Sequence, residues 1–189
     1  YMHEYFHIHI NNYTYVHLGT MDILSVITAV ATKCIKDIQI MRSWKQISML
    51  LFGLQNMSSR EQVIRNLLSV VAIVISDCSD ELGCQDIGMA FYGLKGMSSD
   101  SAEVRAVLLA LAVKMHTCKE DLSGQAIGNA FYGLKGMSSD SAEVRAVLSA
   151  LAIKINTCKK DLDGQAIGNA FYGLQGMSSD SVEVRAVLS

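Results

Sequence analysis

The chain has 189 residues, of which 50% are hydrophobic and 18% are charged, and its formal net charge is −2. This composition supplies enough apolar side chains for a packed core and excludes a largely disordered chain. The charge is far from the basic excess that is typical of DNA-binding domains. The chain has no proline, which excludes collagen-like and polyproline architectures and favours helices.

The first 20 residues follow no helical pattern. Aromatic or apolar residues alternate with polar ones at 6–9 and 13–16, on either side of Asn11 and Asn12. We interpret residues 1–20 as an irregular or disordered leader; a β-hairpin and an upstream extension that was never selected for folding are the alternatives. Residues 21–43 contain a stretch similar to the second half of the repeat described next, which indicates a degenerate partial repeat.

The remainder of the chain is a tandem repeat. The tetrapeptide Phe-Tyr-Gly-Leu begins at residues 91, 131 and 171, so the period is 40 residues. Residues 124–149 match residues 164–189 at 24 of 26 positions, and a diverged copy begins near Trp44. We predict an array of about 3.6 units over residues 44–189, divided as 44–83, 84–123, 124–163 and a truncated 164–189.

Each unit is predicted to contain two helices. Helix A covers about 125–135 and ends at Gly136, where a glycine followed by an apolar residue is typical of a Schellman stop. Asp140, with Glu143 three residues later, predicts a capping box that starts helix B, which ends near residue 157. Two short helices cannot bury their apolar faces alone, so neighbouring units must stack. The sequence therefore predicts an all-α fold, a right-handed α-solenoid of stacked two-helix repeats.

Two further features of the unit predict structural contacts. Gly128 and Gly133 lie inside helix A, where each costs about 1 kcal/mol relative to alanine, and close packing between helices would explain them. Arg145 lies in the first turn of helix B, and we expect it to pair with acidic side chains of the preceding turn.

The cysteines indicate a reducing, intracellular environment. No two of the five form a CxxC pattern, and no signal-peptide pattern precedes the array. Cys78, Cys118 and Cys158 share one repeat position, and stacking would separate them by about 10 Å, which is too far for a disulfide. The longest apolar stretch is much shorter than a membrane span.

Helix A carries one polar stripe that we predict to bind a ligand. Its amide, tyrosine and lysine side chains recur at spacings that place them on one face, and stacking would align them into a ladder. Amides can hydrogen-bond to bases, tyrosine can stack, and lysine can meet a phosphate or an acidic residue. The alternative is an ordinary solvated helix face. The predicted face consists of Gln85, Tyr92, Lys95, Gln125, Asn129, Tyr132, Lys135, Gln165, Asn169, Tyr172 and Gln175.

No enzyme signature accompanies this face. The patterns GxSxG, HExxH and GxxxxGK[ST] are absent from the sequence, and a residue repeated in every unit is more typical of a building element than of a catalytic group. We expect a protein that is not an enzyme, with no catalytic residues, no metal site, no cofactor, no small-molecule substrate and no membrane partner.

Residues 122–134, with the sequence LSGQAIGNAFYGL, a short turn and a second helix rich in Leu and Ala, resemble the octotricopeptide and heptatricopeptide repeats. The resemblance covers about residues 44–189. It implies an α-solenoid of the kind associated with RAP-domain proteins, which binds organellar RNA. It also implies a location in a mitochondrion or plastid.

Three functional hypotheses follow. The first is a non-enzymatic α-solenoid scaffold that holds single-stranded RNA along the helix A face. The second is a protein-binding scaffold of armadillo or HEAT character, whose groove receives an extended peptide or a partner helix. The third is a repeat fragment with no function of its own, because the sequence starts without methionine and stops inside a predicted helix.

Overall fold

The chain is all-helical over the residues that a computed structural model describes, namely 20–37, 41, 43–159 and 161–189. This part contains nine α-helices and no strand, which confirms the predicted all-α class there. The predicted leader and its alternative hairpin lie, apart from Thr20, outside the described residues. The helices are α1 (Thr20–Asp37), α2 (Trp44–Gly53), α3 (Gln62–Asp77), α4 (Cys84–Gly93), α5 (Ala102–Thr117), α6 (Gly124–Gly133), α7 (Ala142–Thr157), α8 (Gly164–Gly173) and α9 (Val182–Leu188).

Each helix packs against the helix two places further along the chain. The ten-residue helices form one series of contacts, α2 with α4, α4 with α6 and α6 with α8, which we call row A. The contacts of α1 with α3, α3 with α5, α5 with α7 and α7 with α9 form row B. Equivalent helices of successive units are therefore neighbours, and α1 lies at the head of row B.

The two rows share one apolar core. Buried side chains of both rows belong to a single cluster that includes Phe91 and Phe131 from row A and Leu108 and Leu148 from row B. Phe131 is 0% exposed, whereas the equivalent ring of Phe171 in α8 is 62% exposed. Burial at this position therefore depends on the next helix of the row, as expected for units that bury their apolar faces by stacking.

Gly136 reverses the chain where the sequence predicted it, although helix A ends earlier and the hydrogen bonds differ from a Schellman motif. The helix α6 ends at Gly133, two residues before the predicted end. The N–H of Leu134 donates to the carbonyl of Phe131 at 2.9 Å. The last turn is therefore a tighter 3₁₀ turn, in which each N–H bonds to the carbonyl three residues earlier. Gly136 has φ +76°, a left-handed conformation that glycine adopts without a steric penalty.

The predicted cap of helix B was wrong by one residue. Ser141, rather than Asp140, is the N-cap of α7, and its hydroxyl oxygen accepts a hydrogen bond from the N–H of Val144 at 3.4 Å. The same hydroxyl donates to Glu143 at 2.7 Å. This hydrogen bond lowers the pKa of Glu143, helped by the backbone N–H of Glu143 and by two nearby arginines. Asp140 remains in the turn because the extended backbone that a cap requires falls at Ser141.

Close packing at the helix A glycines is confirmed. A Cβ added to Gly133 would lie 1.9 Å from the carbonyl oxygen of Phe91 in the preceding helix of row A. A Cβ at Gly128 would lie 2.9 Å from the Cα of Ala166 in the following helix. Glycine at these two positions allows the row A helices to pack backbone against backbone.

Arginine contacts the preceding turn, but through its carbonyl groups rather than its acidic side chains. Nη1 of Arg145 donates to the backbone oxygens of Ser139 and Asp140, at 2.8 Å each. Its Nε lies 3.8 Å from Glu183 of the next unit. The predicted partners were wrong because the guanidinium hydrogen-bonds to two backbone carbonyls of the turn and lies beside a carboxylate of the following unit.

Buried serines link the turns of successive units. The hydroxyl oxygens of Ser59, Ser99 and Ser139 accept hydrogen bonds from the backbone N–H groups of Ser98, Ser138 and Ser178, each at 2.9 Å. A lysine makes a similar link in row B. Nζ of Lys114 in α5 donates to the backbone carbonyl of Cys78, the residue that follows α3, at 2.7 Å. Polar contacts between units therefore accompany the packing of the helices.

The four cysteines whose side chains the structure describes carry thiols and form no disulfide. These are Cys78, Cys84, Cys118 and Cys158. The thiol of Cys118 donates to the carbonyl of Leu82 at 3.1 Å, and burial raises its pKa. Among the described residues, no helix has both the length and the apolarity needed to cross a membrane.

Candidate functional site

An aromatic ladder runs along the exposed side of row A. It consists of Phe52, Tyr92, Tyr132 and Tyr172, which occupy the same position in successive units. Their ring centroids are separated by 5.7, 5.4 and 5.4 Å in chain order, and the planes of neighbouring rings are inclined by 26°, 14° and 30°. These distances are those of offset-stacked aromatic pairs. The ladder therefore joins four successive units through side chains of one type.

Two lysines lie against the ladder. Nζ of Lys95 is 4.5 Å from the ring centroid of Tyr92 and donates to the Tyr92 hydroxyl at 3.4 Å and to Gln55 at 3.5 Å. Nζ of Lys135 is 4.4 Å from the ring centroid of Tyr172 and donates a hydrogen bond to its hydroxyl. That hydrogen bond raises the pKa of Lys135, which favours the charged ammonium. Each lysine therefore places a cation beside a phenolic oxygen.

The amide side chains complete the face at different depths. The glutamines at the start of α4, α6 and α8 are exposed; they are Gln85, Gln125 and Gln165. Gln175, in the turn after α8, is exposed as well. Asn129 and Asn169, one helical turn further on, are half-buried. The structure brings the predicted tyrosines and lysines into mutual contact. The other predicted amides lie on the helices, whereas Gln175 and the two lysines lie in the turns that follow them.

The ladder changes what the tyrosines can offer to a ligand. We predicted that each ring would be a flat stacking platform, but both faces of Tyr92 and Tyr132 lie against neighbouring rings. A base could stack there only by separating two units. The ring edges, the hydroxyl groups, the lysine ammonium groups and the amides remain for recognition, so the face is suited to hydrogen bonding and to weak attraction of anions.

Sequence reasoning missed the stacking of these rings on one another. A signal for it was present, because an aromatic residue at one position of a 40-residue repeat recurs in four successive units. In a stack of units, equivalent side chains meet each other, so aromatic residues at such a position pair across the unit boundary. The buried serine links have the same origin in the repeated Ser-Ser pair.

The described residues contain no group of three or more His, Cys, Asp or Glu side chains that could hold a metal ion. In comparisons with protein families, with curated proteins and with solved structures, no match to this chain was found. The functional conclusion therefore depends on the geometry of the row A face, by which we mean the aromatic ladder with its two lysines and the neighbouring amides.

Proposed function

We propose that residues 44–189 form a right-handed α-solenoid of two-helix units with a 40-residue period, and that this array is a non-enzymatic scaffold for single-stranded RNA. The contacts between equivalent helices in both rows support the architecture. The ladder on row A presents equivalent side chains at regular intervals, which favours a ligand that is itself a repeating polymer. Both proposals agree with the resemblance to octotricopeptide and heptatricopeptide repeats.

The regular recurrence of three kinds of group is the observation that carries the RNA proposal. The units 84–123 and 124–163 each present a tyrosine hydroxyl, a lysine and an amide from equivalent positions on one side of row A, and the unit that begins at residue 164 has Gln175 in place of the lysine. Lys95 and Lys135 would neutralise phosphates. Asn129 and Asn169 would hydrogen-bond to the exposed edges of unpaired bases. The tyrosine hydroxyls would meet 2′-hydroxyl or phosphate oxygens.

Recognition in this arrangement uses edges rather than stacking. The ring faces are already paired between units, so affinity would come from hydrogen bonds and from the two ammonium groups. With so few cations, binding would be modest and would fall as salt is added. By the resemblance, the RNA would be organellar, in a mitochondrion or plastid.

A protein-binding scaffold is the second candidate, and the overall charge of −2 favours it. A strongly basic surface usually supplies much of the affinity for RNA, and this chain has 16 Lys and Arg against 18 Asp and Glu. The same amides and tyrosine hydroxyls could hydrogen-bond to the backbone of an extended peptide laid along row A.

The test is a filter-binding titration of the array with a random single-stranded RNA pool at two salt concentrations. The double variant Lys95→Ala/Lys135→Ala should bind about tenfold more weakly, and its salt slope should fall by about one for each lysine lost. Lys119→Ala/Lys159→Ala is the matched control, because it removes two exposed lysines that form ion pairs away from the ladder. This control should bind RNA as the unchanged protein does.

Two results would contradict the RNA proposal. One is the absence of salt-dependent binding at protein concentrations of about 10 µM; the other is an equal loss in the ladder and control variants. A stoichiometric protein partner that the ladder variant fails to hold would instead establish the second candidate.

A further inference from the structure

Row B carries an open apolar groove on the side of α5 that faces away from the core. The groove has a volume of about 660 Å³ and lies between α3 and α5. Its walls include Ile73 from α3 and Leu109 and Val113 from α5, whose side chains are 61%, 49% and 54% exposed. Small residues such as Ala72 and Ala106 also line it. Bulky aliphatic walls and small residues between them make a channel that a ridge of side chains can enter.

The groove is not part of the row A face. Leu109 and Val113 are one helical turn apart, whereas Val104, Leu108 and Leu111 of the same helix are 0% exposed and face the core. At 100° per residue, these two sets lie on opposite sides of α5. The aliphatic side chains of the groove are therefore separate from the ladder and are not needed to pack the units.

One end of the groove carries a carboxylate that differs from its counterparts in the next two units. Glu143 lies 3.9 Å from Arg105, and Glu183 lies 3.8 Å from Arg145. Glu103, which lines the groove, has no such ion pair within 4.0 Å in the part of the chain that the structure describes.

A substitution between units accounts for this difference. Arg65, the arginine equivalent to Arg105, donates a hydrogen bond to the side chain of Gln62. The following unit has Ala102 at the position of Gln62, so its arginine lacks this competing acceptor. The Glu103 carboxylate accepts a hydrogen bond from the Ser101 hydroxyl at 2.6 Å, and this bond, its own backbone N–H and the charges of Arg65 and Arg105 lower its pKa. It places a negative charge at one end of the groove, whereas Lys114 lines the groove near the other end of α5.

We propose that this groove binds an amphipathic α-helix of a protein partner, with aliphatic side chains in the channel and an arginine or lysine beside Glu103. The walls are two helices whose backbone hydrogen bonds are internal, so there is no strand edge for an extended peptide to join. Helix faces instead take a ridge of residues spaced i, i+3, i+4 and i+7. Since α5 has 16 residues, its length of about 24 Å matches a partner of about four turns.

The experiment measures fluorescence anisotropy of a labelled 18-residue helical peptide with leucines at i, i+3, i+4 and i+7 and arginines beside them. We expect saturable binding, and at least about tenfold weaker binding of a peptide that carries glutamate in place of arginine. In the protein, Leu109→Asn should weaken binding of the arginine peptide about tenfold through lost apolar contact. Ile153→Asn is the matched control, because Ile153 is 52% exposed in row B but does not line the groove.

The charge is tested by a second matched pair. Glu103→Gln should reduce the preference for the arginine peptide over the glutamate peptide, whereas Glu143→Gln, at the carboxylate already paired with Arg105, should leave that preference unchanged. Circular dichroism and the thermal midpoint of each variant verify that it is folded.

Four outcomes would overturn the proposal. The first is the absence of saturable binding of the arginine peptide below about 100 µM. The second is an equal effect of Leu109→Asn and Ile153→Asn. The third is a dimer in sedimentation that Leu109→Asn abolishes, since the occupant would then be a second copy. The fourth is Leu109-dependent binding to vesicles of anionic lipid without binding to the peptide. Loss of RNA binding through the ladder would affect none of these results.

Discussion

Glycine at one repeated position allows the row A helices to pack closely, because it has no side chain. At Gly93, Gly133 and Gly173, an added Cβ would lie only 2.0, 1.9 and 1.9 Å from a carbonyl oxygen of the preceding row A helix. Such a distance is far below contact, and the obstacle is backbone, which cannot rotate away as a side chain can. The packing gained between helices offsets the cost of about 1 kcal/mol that glycine imposes on a helix.

Gly133→Ala should therefore destabilise the array by about 2 kcal/mol or more, because α4 and α6 must separate. Urea denaturation followed by circular dichroism measures the change. Gly168→Ala is the control: a Cβ there would meet nothing within 4 Å, so the same substitution should be neutral or should stabilise by up to about 1 kcal/mol through helix propensity. Equal effects of the two substitutions would show that close packing does not explain the glycine at 133.

Between the helices, the turns carry the polar contacts that align one unit with the next. Ser139 is buried, and its hydroxyl oxygen accepts the N–H of Ser178 in the next turn at 2.9 Å. The neighbouring side chain of Ser138 is exposed, and its hydroxyl makes only a local hydrogen bond, with the N–H of Asp140 at 3.1 Å. Adjacent serines in one turn thus have different roles, one between units and one within the turn.

Ser139→Ala should lower the free energy of unfolding by about 1 to 2 kcal/mol, because it leaves the N–H of Ser178 without its acceptor. Ser138→Ala should cost less than about 0.5 kcal/mol, as is usual for an exposed side chain. Chemical denaturation of both variants measures the difference. If Ser138→Ala were the more damaging of the two, the proposed division of roles would be wrong.

In the proposed array, successive units meet largely through equivalent residues. The contacts of α6 with α4 and with α8 use equivalent glycines and aromatic rings. In such a stack, stability is approximately the sum of unit and interface contributions. A unit can therefore be removed without creating a new kind of interface.

Deletion of residues 124–163, one full period, should give a folded protein with the same helical content per residue and a lower thermal midpoint, because one unit and one interface are lost. Circular dichroism and thermal denaturation measure both quantities. Deletion of residues 124–143 is the control, since half a period would join row A to row B out of register and should prevent cooperative folding. If the two deletions behaved alike, the 40-residue unit would not be the structural period.

The repeated sequence makes several features of the structure predictable. The end of α7 at Thr157, the reversal at Gly136 and the close approach at Gly128 depend on local chemistry or on the absence of a side chain, and both are visible in the sequence. The cap of α7 was missed because Asp140 and Ser141 are adjacent and both are good caps. Only the backbone conformation distinguishes them.

Local sequence alone was enough for the helices and for the side of helix A on which the polar residues lie, because these follow from spacing along one chain. It was not enough for the partners of Arg145, the stacking of Tyr132 between two other rings, or the position of Glu103 at the row B groove. Each of these depends on the rotation and distance between successive units. The packing of whole helices sets those quantities, and it decides which side chains meet across a unit boundary.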